Sequence, residues 1–414
     1  MEKISRLLKV FILSTLVSLL VLVGFALQNR WKIRQNRLDA RLPETSDGDL
    51  SQKEYMETLR GAFQMPSLWL IGASKCATSS IANALDHHPL IGNIKKESSE
   101  RLHTSTTESH VFDGESFDVM KALHKLTKGV QMVDNSKQRA WNSLNKTLAM
   151  EYTPHYLFEP LVPERICLAY KLLYGSCSSE LQVAARFVIM IREPVARTVS
   201  SWEYKRIKGG ERESFENIVV DGENQSIAML KCWRRHKASA TINVEQALRA
   251  CPTWRLLTPS PHRFHERISR SHVGKGMYFY QLAHWWTILP RENFLVVQCE
   301  KYYTDPATYF TKILTFAGVE ALGRTGFKDT NDLTTAASVH LNSMHRENLR
   351  SEVTPPLKER LSMLFQPHNR RLDKLLGVTT GYYNNSILDA KKMKKKKEEK
   401  EEEEEGEEDT ALET

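Results

Sequence analysis

The sequence has little cysteine and lacks the cysteine and histidine spacings that hold zinc. Its 414 residues include six cysteines and no CxxC pair, which is too few for a disulfide scaffold and predicts no metal site. A single long uncharged apolar run excludes a multi-span membrane protein. Charged residues make up 26% of the chain and hydrophobic residues 41%, a balance that excludes fibrous and wholly disordered chains and predicts a folded core.

Acidic residues are fewer than basic ones, and the charge is unevenly distributed. The formal net charge is +8. Residues 391–414 carry seven lysines and eleven acidic residues, so this tail contributes −4 and the remainder of the chain +12. A basic domain suits an anionic ligand such as a nucleotide, a nucleic acid or an acidic glycan. The lysine and glutamate blocks cannot bury a core, so residues 381–414 are predicted to form a charged, disordered tail.

The one long apolar run covers residues 10–27 and contains no charged residue. A helix of this length, at about 1.5 Å per residue, crosses a hydrocarbon layer of roughly 30 Å. Basic residues within positions 1–9 favour a cytoplasmic tail there and a luminal remainder, as in a type II signal anchor. A cleaved signal peptide is the alternative, because Gly24 and Ala26 are small residues of the kind found at processing sites. Residues 28–65 are polar and predict a luminal stem.

Short apolar runs followed by helical patterns recur along the rest of the chain. Residues 68–71, 187–191 and 294–297 are such runs, and a last helical pattern covers residues 355–376. Strands that alternate with helices build a parallel sheet covered by helices. The sequence therefore predicts an α/β protein with a P-loop-like three-layer fold, a central parallel sheet with helices on both faces, over residues 66–380. One N-terminal membrane anchor would precede it.

The first predicted strand runs into a loop of small residues, GASKCATSS, at residues 72–80. A strand-to-helix turn of this kind directs backbone N–H groups and a helix N-terminus to one point, where a phosphate binds. Lys75 adds a positive charge, and residues 78–80 add three hydroxyl groups. The loop is not a Walker A motif, because its lysine lies in mid-loop and is followed by Cys76. A small-residue turn without a ligand is the alternative.

The second predicted strand ends at Arg192, and Ser200 follows eight residues later in the first turns of the next helix. A guanidinium at a strand end and a nearby hydroxyl are suited to hold one phosphate. Pro194 favours a helix start at this point. A structural contact between Arg192 and Glu193 at the sheet edge is the alternative.

Together the two loops resemble the 5′-phosphosulfate loop and the 3′-phosphate motif of the sulfotransferases, especially the Golgi membrane-anchored enzymes that sulfate glycosaminoglycans. The resemblance covers residues 66–377. TESHVFD at residues 107–113 is similar to the segment that carries the catalytic glutamate in heparan sulfate sulfotransferases, and MEYTPHYLF at residues 150–158 to their acceptor-side segment. Residues 274–306 and 365–377 resemble the family's late helix, strand and closing helix.

The resemblance implies transfer of a sulfuryl group from 3′-phosphoadenosine 5′-phosphosulfate to a hydroxyl or amine of a carbohydrate. The expected acceptor is an acidic polysaccharide in the Golgi lumen, with no nucleic acid and no required metal. The transfer is an in-line displacement through a loose transition state, so the protein contributes positioning and charge stabilisation. The residues that match the donor-binding positions are Lys75, Cys76, Ala77, Thr78, Ser79, Ser80, Arg192 and Ser200.

An acceptor hydroxyl also needs a base. The family pattern points to Glu108, with His110 beside it, and alternate residues of an extended segment can face one cleft. With Lys75, which would neutralise charge on the bridging oxygen, these residues form the predicted catalytic set. Glu97 and Glu100, in KKESSER, are alternatives for the base, and so is His110 itself.

The chain departs from the family pattern at three places. Cys76 and Ala77 stand where the family's loop usually has glycine, and Tyr152 stands where heparan sulfate enzymes have a lysine. The family's Lys-Gly-Arg nucleotide loop is not found between Asp329 and His345. These departures keep open a second hypothesis, a catalytically inactive, membrane-anchored glycan-binding protein with the same fold. A P-loop kinase is a further alternative.

Cysteines and glycosylation sequons bear on the compartment. In an oxidising lumen, Cys232 and Cys251 would close a loop around a polar, basic insertion, and Cys167 and Cys177 would pair likewise. The other two cysteines, Cys76 and Cys299, lie in core-like motifs and are expected to be free. N-glycans are possible on the luminal side at three sequons, Asn145, Asn224 and Asn384.

Overall fold

The computed structural model describes residues 57–58, 61–94, 108–114, 117–138, 148–177, 185–208, 210–237, 271–323, 326–339 and 351–383. The predicted anchor at residues 10–27, most of the predicted stem and all of the predicted tail except residues 381–383 lie outside these ranges. None of the helices within the ranges has the length and apolar character needed to cross a bilayer.

The described strands are β1 (Leu68–Gly72), β2 (Ile91–Asn93), β3 (Leu148–Tyr152), β4 (Arg186–Ile191) and β5 (Phe294–Gln298). They form one parallel sheet in the order β2-β3-β1-β4-β5. At its centre, Leu68 of β1 lies opposite Met150 of β3 on one side and Arg186 of β4 on the other. Every residue of β1 is buried, as expected for a strand covered on both faces. The strands β1, β4 and β5 confirm the three predicted strands, whereas β2 and β3 were not predicted as strands.

Helices fill the connections between the strands and the region after the last strand. They are α1 (Thr78–His87), α2 (Val119–Gln138), α3 (Val162–Tyr174), α4 (Pro194–Ile207), α5 (Phe215–Lys237), α6 (Tyr278–Ile288), α7 (Cys299–Thr304), α8 (Pro306–Ala317), α9 (Thr330–Ala337) and α10 (Pro355–Leu376). Short 3-10 turns at Gly274–Gly276 and Arg291–Asn293 precede α6 and β5.

The helices flank the sheet on both faces. The connection through α1 runs from β1 toward the β2 edge, whereas those through α2, α3 and α6 run toward the β5 edge. Since crossovers between parallel strands are right-handed, opposite directions place these helices on opposite faces. The packing agrees, because α1 contacts α9 while α3 contacts α2 and α6. The predicted central parallel sheet with helices on both faces is confirmed.

The strand order creates a crevice between β1 and β4. These two strands are neighbours, but the chain leaves β1 toward one edge of the sheet and leaves β4 toward the other. In open α/β sheets, ligands bind outside the carboxyl ends of the strands at such a switch point. The loops predicted to hold phosphates follow β1 and β4, so the topology brings both to this crevice.

The cysteines follow the predictions where the structure describes them. Cys167 and Cys177 form a disulfide, with Cα atoms 5.2 Å apart, and Cys76 and Cys299 are free and buried. Cys232 is also disulfide-bonded; its predicted partner, Cys251, lies outside the described residues.

One of the three sequons lies in the described part of the chain. Asn224 is exposed on α5, so a glycan attached there would not disturb the core. Asn145 and Asn384 lie outside the described residues.

Candidate active site

A cleft of about 740 Å³ opens at the carboxyl ends of β1, β3 and β4. It brings together eight of the ten predicted site residues; Cys76 and His110 are the two that do not line it. These eight predicted residues are Lys75, Ala77, Thr78, Ser79, Ser80, Arg192, Ser200 and Glu108. We call the seven of them that were predicted to bind the donor the donor half of the cleft. We call Glu108, with the nearby His110 and Asp113, the acceptor half.

The start of α1 faces the cleft without a side-chain cap. Lys75 and Ala77 both have left-handed backbone conformations, with φ of 71° and 62°, and they turn the chain from β1 into the helix. The N-cap residue is Ala77, whose side chain accepts no hydrogen bond from the helix. Backbone N–H groups at an uncapped helix start, together with the helix dipole, attract an anion.

The side chain of Cys76 points away from the cleft into the core. Its thiol is fully buried and lies 3.6 Å from the hydroxyl of Tyr278 and 3.8 Å from the carbonyl oxygen of Ser74. Burial raises the pKa of this thiol to about 11, so it stays protonated near neutral pH. The predicted donor contact of Cys76 therefore rests on its backbone.

A buried tyrosine joins the loops that follow β1 and β4. Tyr278 of α6 accepts a hydrogen bond from the backbone N–H of Arg192 at 3.3 Å and donates one to the carbonyl of the same residue at 3.0 Å. Its hydroxyl also contacts Cys76 in the other loop. The Arg192 guanidinium in turn donates to the carbonyl of Lys75 at 3.4 Å. The positions of Lys75 and Arg192 are thus fixed relative to each other.

The start of α4 differs from that of α1 because it is capped from within. The Glu193 carboxylate accepts hydrogen bonds from the backbone N–H groups of Val195 and Ala196, at 2.9 and 2.7 Å. Glu193 thus caps the helix, and the predicted alternative, a contact between this carboxylate and Arg192 at the sheet edge, is not needed to explain its place. At the start of α4, the groups that an anion can contact are therefore the side chains of Arg192 and Ser200 and not the backbone N–H groups of the helix N-terminus.

Lys75 reaches across the cleft to α4. Its ammonium lies 4.0 Å from the centre of the Tyr204 ring, a cation–π distance. Sequence reasoning missed Tyr204, although a spacing of four residues from Ser200 places both on one face of the helix.

A second arginine lies beneath the loop that follows β1. Arg197 is fully buried, and its guanidinium donates to the carbonyl oxygens of Ser74, at 3.4 Å, and His272. Burial lowers its pKa from the usual value. Arg197 braces the loop and adds positive potential below it. Sequence reasoning missed Arg197, and it also missed Lys358, a further cation on the cleft wall at the start of α10.

The acceptor half consists of one imidazole held between two carboxylates. His110 Nε2 lies 3.0 Å from Glu108 Oε2, and Nδ1 lies 2.7 Å from Asp113 Oδ2. Hydrogen bonds to Asp113 and then to Glu108 raise the pKa of His110 to about 10, so the ring is an imidazolium near neutral pH. A protonated ring cannot accept a further proton, which favours Glu108 over His110 as the base. Asp113 was missed, although it stands in the same TESHVFD segment.

The remaining alternatives for the base, Glu97 and Glu100, lie outside the described residues. Across the ranges that the structure describes, no group of three or more His, Cys, Asp and Glu side chains is arranged to hold a metal.

Tyr152, the last residue of β3, connects this strand to the donor half of the cleft. Its hydroxyl lies 2.9 Å from Ser79 Oγ, and the side chain forms part of the cleft wall. Burial raises the pKa of this phenol above its usual value, so the group is neutral. The chain therefore places a neutral hydrogen-bonding group where heparan sulfate enzymes carry a lysine.

Comparison with known proteins agrees with this geometry. Residues 65–353 match the sulfotransferase domain family. Carbohydrate sulfotransferase 15 of Nototodarus sloanii is 23% identical over 171 residues, which cover 40% of this chain and 99% of that protein. Human heparan sulfate glucosamine 3-O-sulfotransferase 3B1 is 20% identical over 331 residues, 78% of this chain and 66% of that protein.

A solved structure, the sulfotransferase from Alicyclobacillus acidocaldarius, is 21% identical and covers 77% of this chain and 99% of its own, with a TM-score of 0.45. The domain match spans well over half of the chain and includes both loops at the crevice between β1 and β4. The chain belongs to the sulfotransferase family.

Proposed function

We propose that the protein transfers a sulfuryl group from 3′-phosphoadenosine 5′-phosphosulfate to a hydroxyl or amine of a glycan. The observation that carries the proposal is that one cleft brings together the loops after β1 and β4, with Lys75 and Arg192, and a carboxylate paired with an imidazolium. The donor supplies an activated sulfuryl group, and the protein's own residues bind it, orient the acceptor and take up a proton.

The donor half fits a nucleotide with phosphate groups at both its 5′ and 3′ positions. The uncapped start of α1 and the hydroxyls of residues 78–80 would hold the 5′-phosphate. Arg192 and Ser200 would hold the 3′-phosphate, the group that distinguishes this donor from ATP and ADP. Lys75, held between the loop and Tyr204, would neutralise the charge that develops on the bridging oxygen as the bond to sulfur breaks.

The acceptor half supplies the base. Glu108 would take the proton from the attacking hydroxyl as its oxygen bonds to sulfur, and the bisphosphate nucleotide would leave. His110, protonated and bonded to both carboxylates, would hold Glu108 in one orientation and balance its charge. Proton uptake by a fixed carboxylate and displacement at sulfur then account for every atom of the reaction.

The acceptor and the compartment are part of the proposal. We infer an acidic polysaccharide acceptor because the similar proteins include a carbohydrate sulfotransferase and a heparan sulfate glucosamine sulfotransferase. We infer a type II anchor at residues 10–27 and a Golgi-luminal domain. The Cys167–Cys177 disulfide suits an oxidising compartment, and the exposed sequon at Asn224 suits a domain in the lumen. The luminal orientation is tested by Asn224→Gln, which should lose a glycosidase-sensitive gel shift.

The experiment is a transfer assay on the full chain, with donor radiolabelled in its sulfuryl group and a panel of sulfated and desulfated glycans. Label in the glycan is expected for the wild type and for Glu223→Gln, a control carboxylate that pairs with Arg360 outside the cleft. It should be lost in Glu108→Gln.

Donor binding without transfer to any acceptor would instead support the inactive glycan-binding protein. A folded chain that neither binds the donor nor transfers the label would contradict the proposal. The family match gives no support to the kinase alternative.

A further inference from the structure

A buried network of hydrogen bonds lies directly behind the acceptor half. Its centre is Glu151 on β3, which is fully buried, does not line the cleft and has no part in the mechanism above. Oε1 of Glu151 accepts hydrogen bonds from Ser109 Oγ and from Thr153 Oγ1, the latter at 2.9 Å. Oε2 has no hydrogen-bond partner in the described part of the chain.

Residues 108–114, the segment that carries Glu108, are held by hydrogen bonds to residues that lie near Glu151. The backbone N–H of Ser109 donates to the carbonyl of Tyr152 at 3.4 Å, and that of His110 donates to Thr153 Oγ1 at 3.2 Å. The next two N–H groups, of residues 111 and 112, donate to the Tyr156 hydroxyl at 2.8 and 3.1 Å. Residues 108–114 belong to no helix or strand, so these contacts fix where the segment lies.

Among these contacts, the one made by Glu151 is the hardest to explain by stability alone. Burial of a carboxyl with incomplete hydrogen bonding costs free energy, and burial raises the pKa of Glu151 to about 7. An apolar residue would fill the space without that cost, but it would leave the Ser109 hydroxyl with two longer contacts, each of 3.4 Å, to Thr153 Oγ1 and to the Tyr156 hydroxyl. Ser109 lies between Glu108 and His110, so its place determines where both side chains of the acceptor half begin.

We propose that Glu151 is a positioning residue for sulfuryl transfer: by holding Ser109 from behind, it fixes Glu108 at the wall of the cleft and His110 beside Glu108. The adjacent Tyr152 bonds to Ser79 of the donor loop. The end of β3 therefore sets the separation between the base and the donor. The inference rests on the proposed sulfuryl transfer, and it adds a residue that touches neither donor nor acceptor.

The test compares the full-length wild type with Glu151→Met, which removes the acceptor oxygens at similar size, with Ser109→Ala and with the double variant. In each single variant kcat is expected to fall by about 10- to 100-fold, the loss produced by a misplaced catalytic group, with the Kd for 3′-phosphoadenosine 5′-phosphate unchanged. The double variant should lose no more than the worse single variant, because both changes break one contact. Asp373→Leu is the control, since this carboxylate also accepts two hydrogen bonds, at 3.0 and 2.6 Å, but does not line the cleft; its kcat should be unchanged.

Three results would overturn the inference: an unchanged kcat in Glu151→Met, an equal loss of donor affinity and kcat, or losses that add in the double variant. If Glu151→Met does not fold, Ser109→Ala decides alone, because it removes the same contact with a smaller change. A wild type that transfers no sulfuryl group would refute the proposed function, whereas a transferring wild type with a fully active Glu151→Met would refute only the positioning role.

Discussion

The donor and acceptor halves of the cleft are built in different ways. The donor half lies on the ends of β1 and β4 and the first turns of α1 and α4, so regular backbone structure places its cations and hydroxyls. The acceptor half lies on residues 108–113, which belong to no helix or strand and are held by side chains of β3 and the turn after it. In the proposed reaction, donor binding thus depends on the topology of the sheet, whereas proton transfer depends on a few side-chain hydrogen bonds.

The largest expected effect separates the two halves completely. In Glu108→Gln the proposed base is removed while the donor half is untouched, so kcat should fall by about 10²- to 10⁴-fold. The Kd for 3′-phosphoadenosine 5′-phosphate should stay at the wild-type value, and calorimetric titration beside the transfer assay measures both. Retained transfer would mean that another group, such as Glu97 or Glu100, is the base.

Removing a cation from the donor half should mainly weaken nucleotide binding. Arg192→Ala removes a charge-assisted contact of about 1.5–3 kcal/mol, so the Kd for the bisphosphate nucleotide should rise by roughly 10- to 150-fold. The same titration measures it. Arg192→Lys, which keeps the charge but loses the planar fork, should give an intermediate Kd. Unchanged binding in Arg192→Ala would remove this residue from the site.

A smaller effect is expected where the donor half is supported from α4. Tyr204→Leu removes the ring beneath the Lys75 ammonium, an interaction of about 0.5–2 kcal/mol. Transfer should fall by roughly 2- to 30-fold, whereas Tyr204→Phe keeps the ring face and should stay near the wild type. Equal losses in both variants would mean that the hydroxyl of Tyr204, and not its ring, is what matters.

The smallest effect concerns the acceptor half and pH. The pKa of His110 is raised from 6.5 to about 10 in the folded protein, so its ion pairs stabilise the fold fully below pH 6.5. That stabilisation should be lost as the pH rises toward about 10. Because the side chain is 46% exposed, solvent screens the interaction and the effect is small. Denaturant midpoints of wild type and His110→Gln should therefore converge between pH 6.5 and pH 10; a constant difference would contradict the account.

The contrast between the halves also explains how far the sequence predicts the structure. The loops after β1 and β4 are local patterns, a short apolar run followed by small residues or by Arg192 and Pro194, and both were predicted. The contact between Ser109 and Glu151 spans 42 positions, and no local pattern encodes it. Asp113 was missed for a related reason, since its role appears only when the turn brings it to His110.

Two further features of the structure could not be read from the sequence, for physical reasons. β2 is three residues long, too short for an alternation of apolar residues to show. Cys76 was grouped with the donor-binding residues by its place in the loop, but the left-handed turns at Lys75 and Ala77 direct its side chain into the core. Family position thus predicted the backbone of the loop, and packing decided the direction of each side chain.

The proposed function requires that the donor half recognises a nucleotide by its 3′-phosphate. The most direct measurement is a calorimetric titration of the full chain with 3′-phosphoadenosine 5′-phosphate and, separately, with ADP, in wild type and Arg192→Ala. We predict that the wild type binds the 3′-phosphorylated nucleotide about tenfold or more tightly and that Arg192→Ala loses this preference. Equal affinity for the two nucleotides in a folded wild type, or a preference that survives in Arg192→Ala, would contradict it.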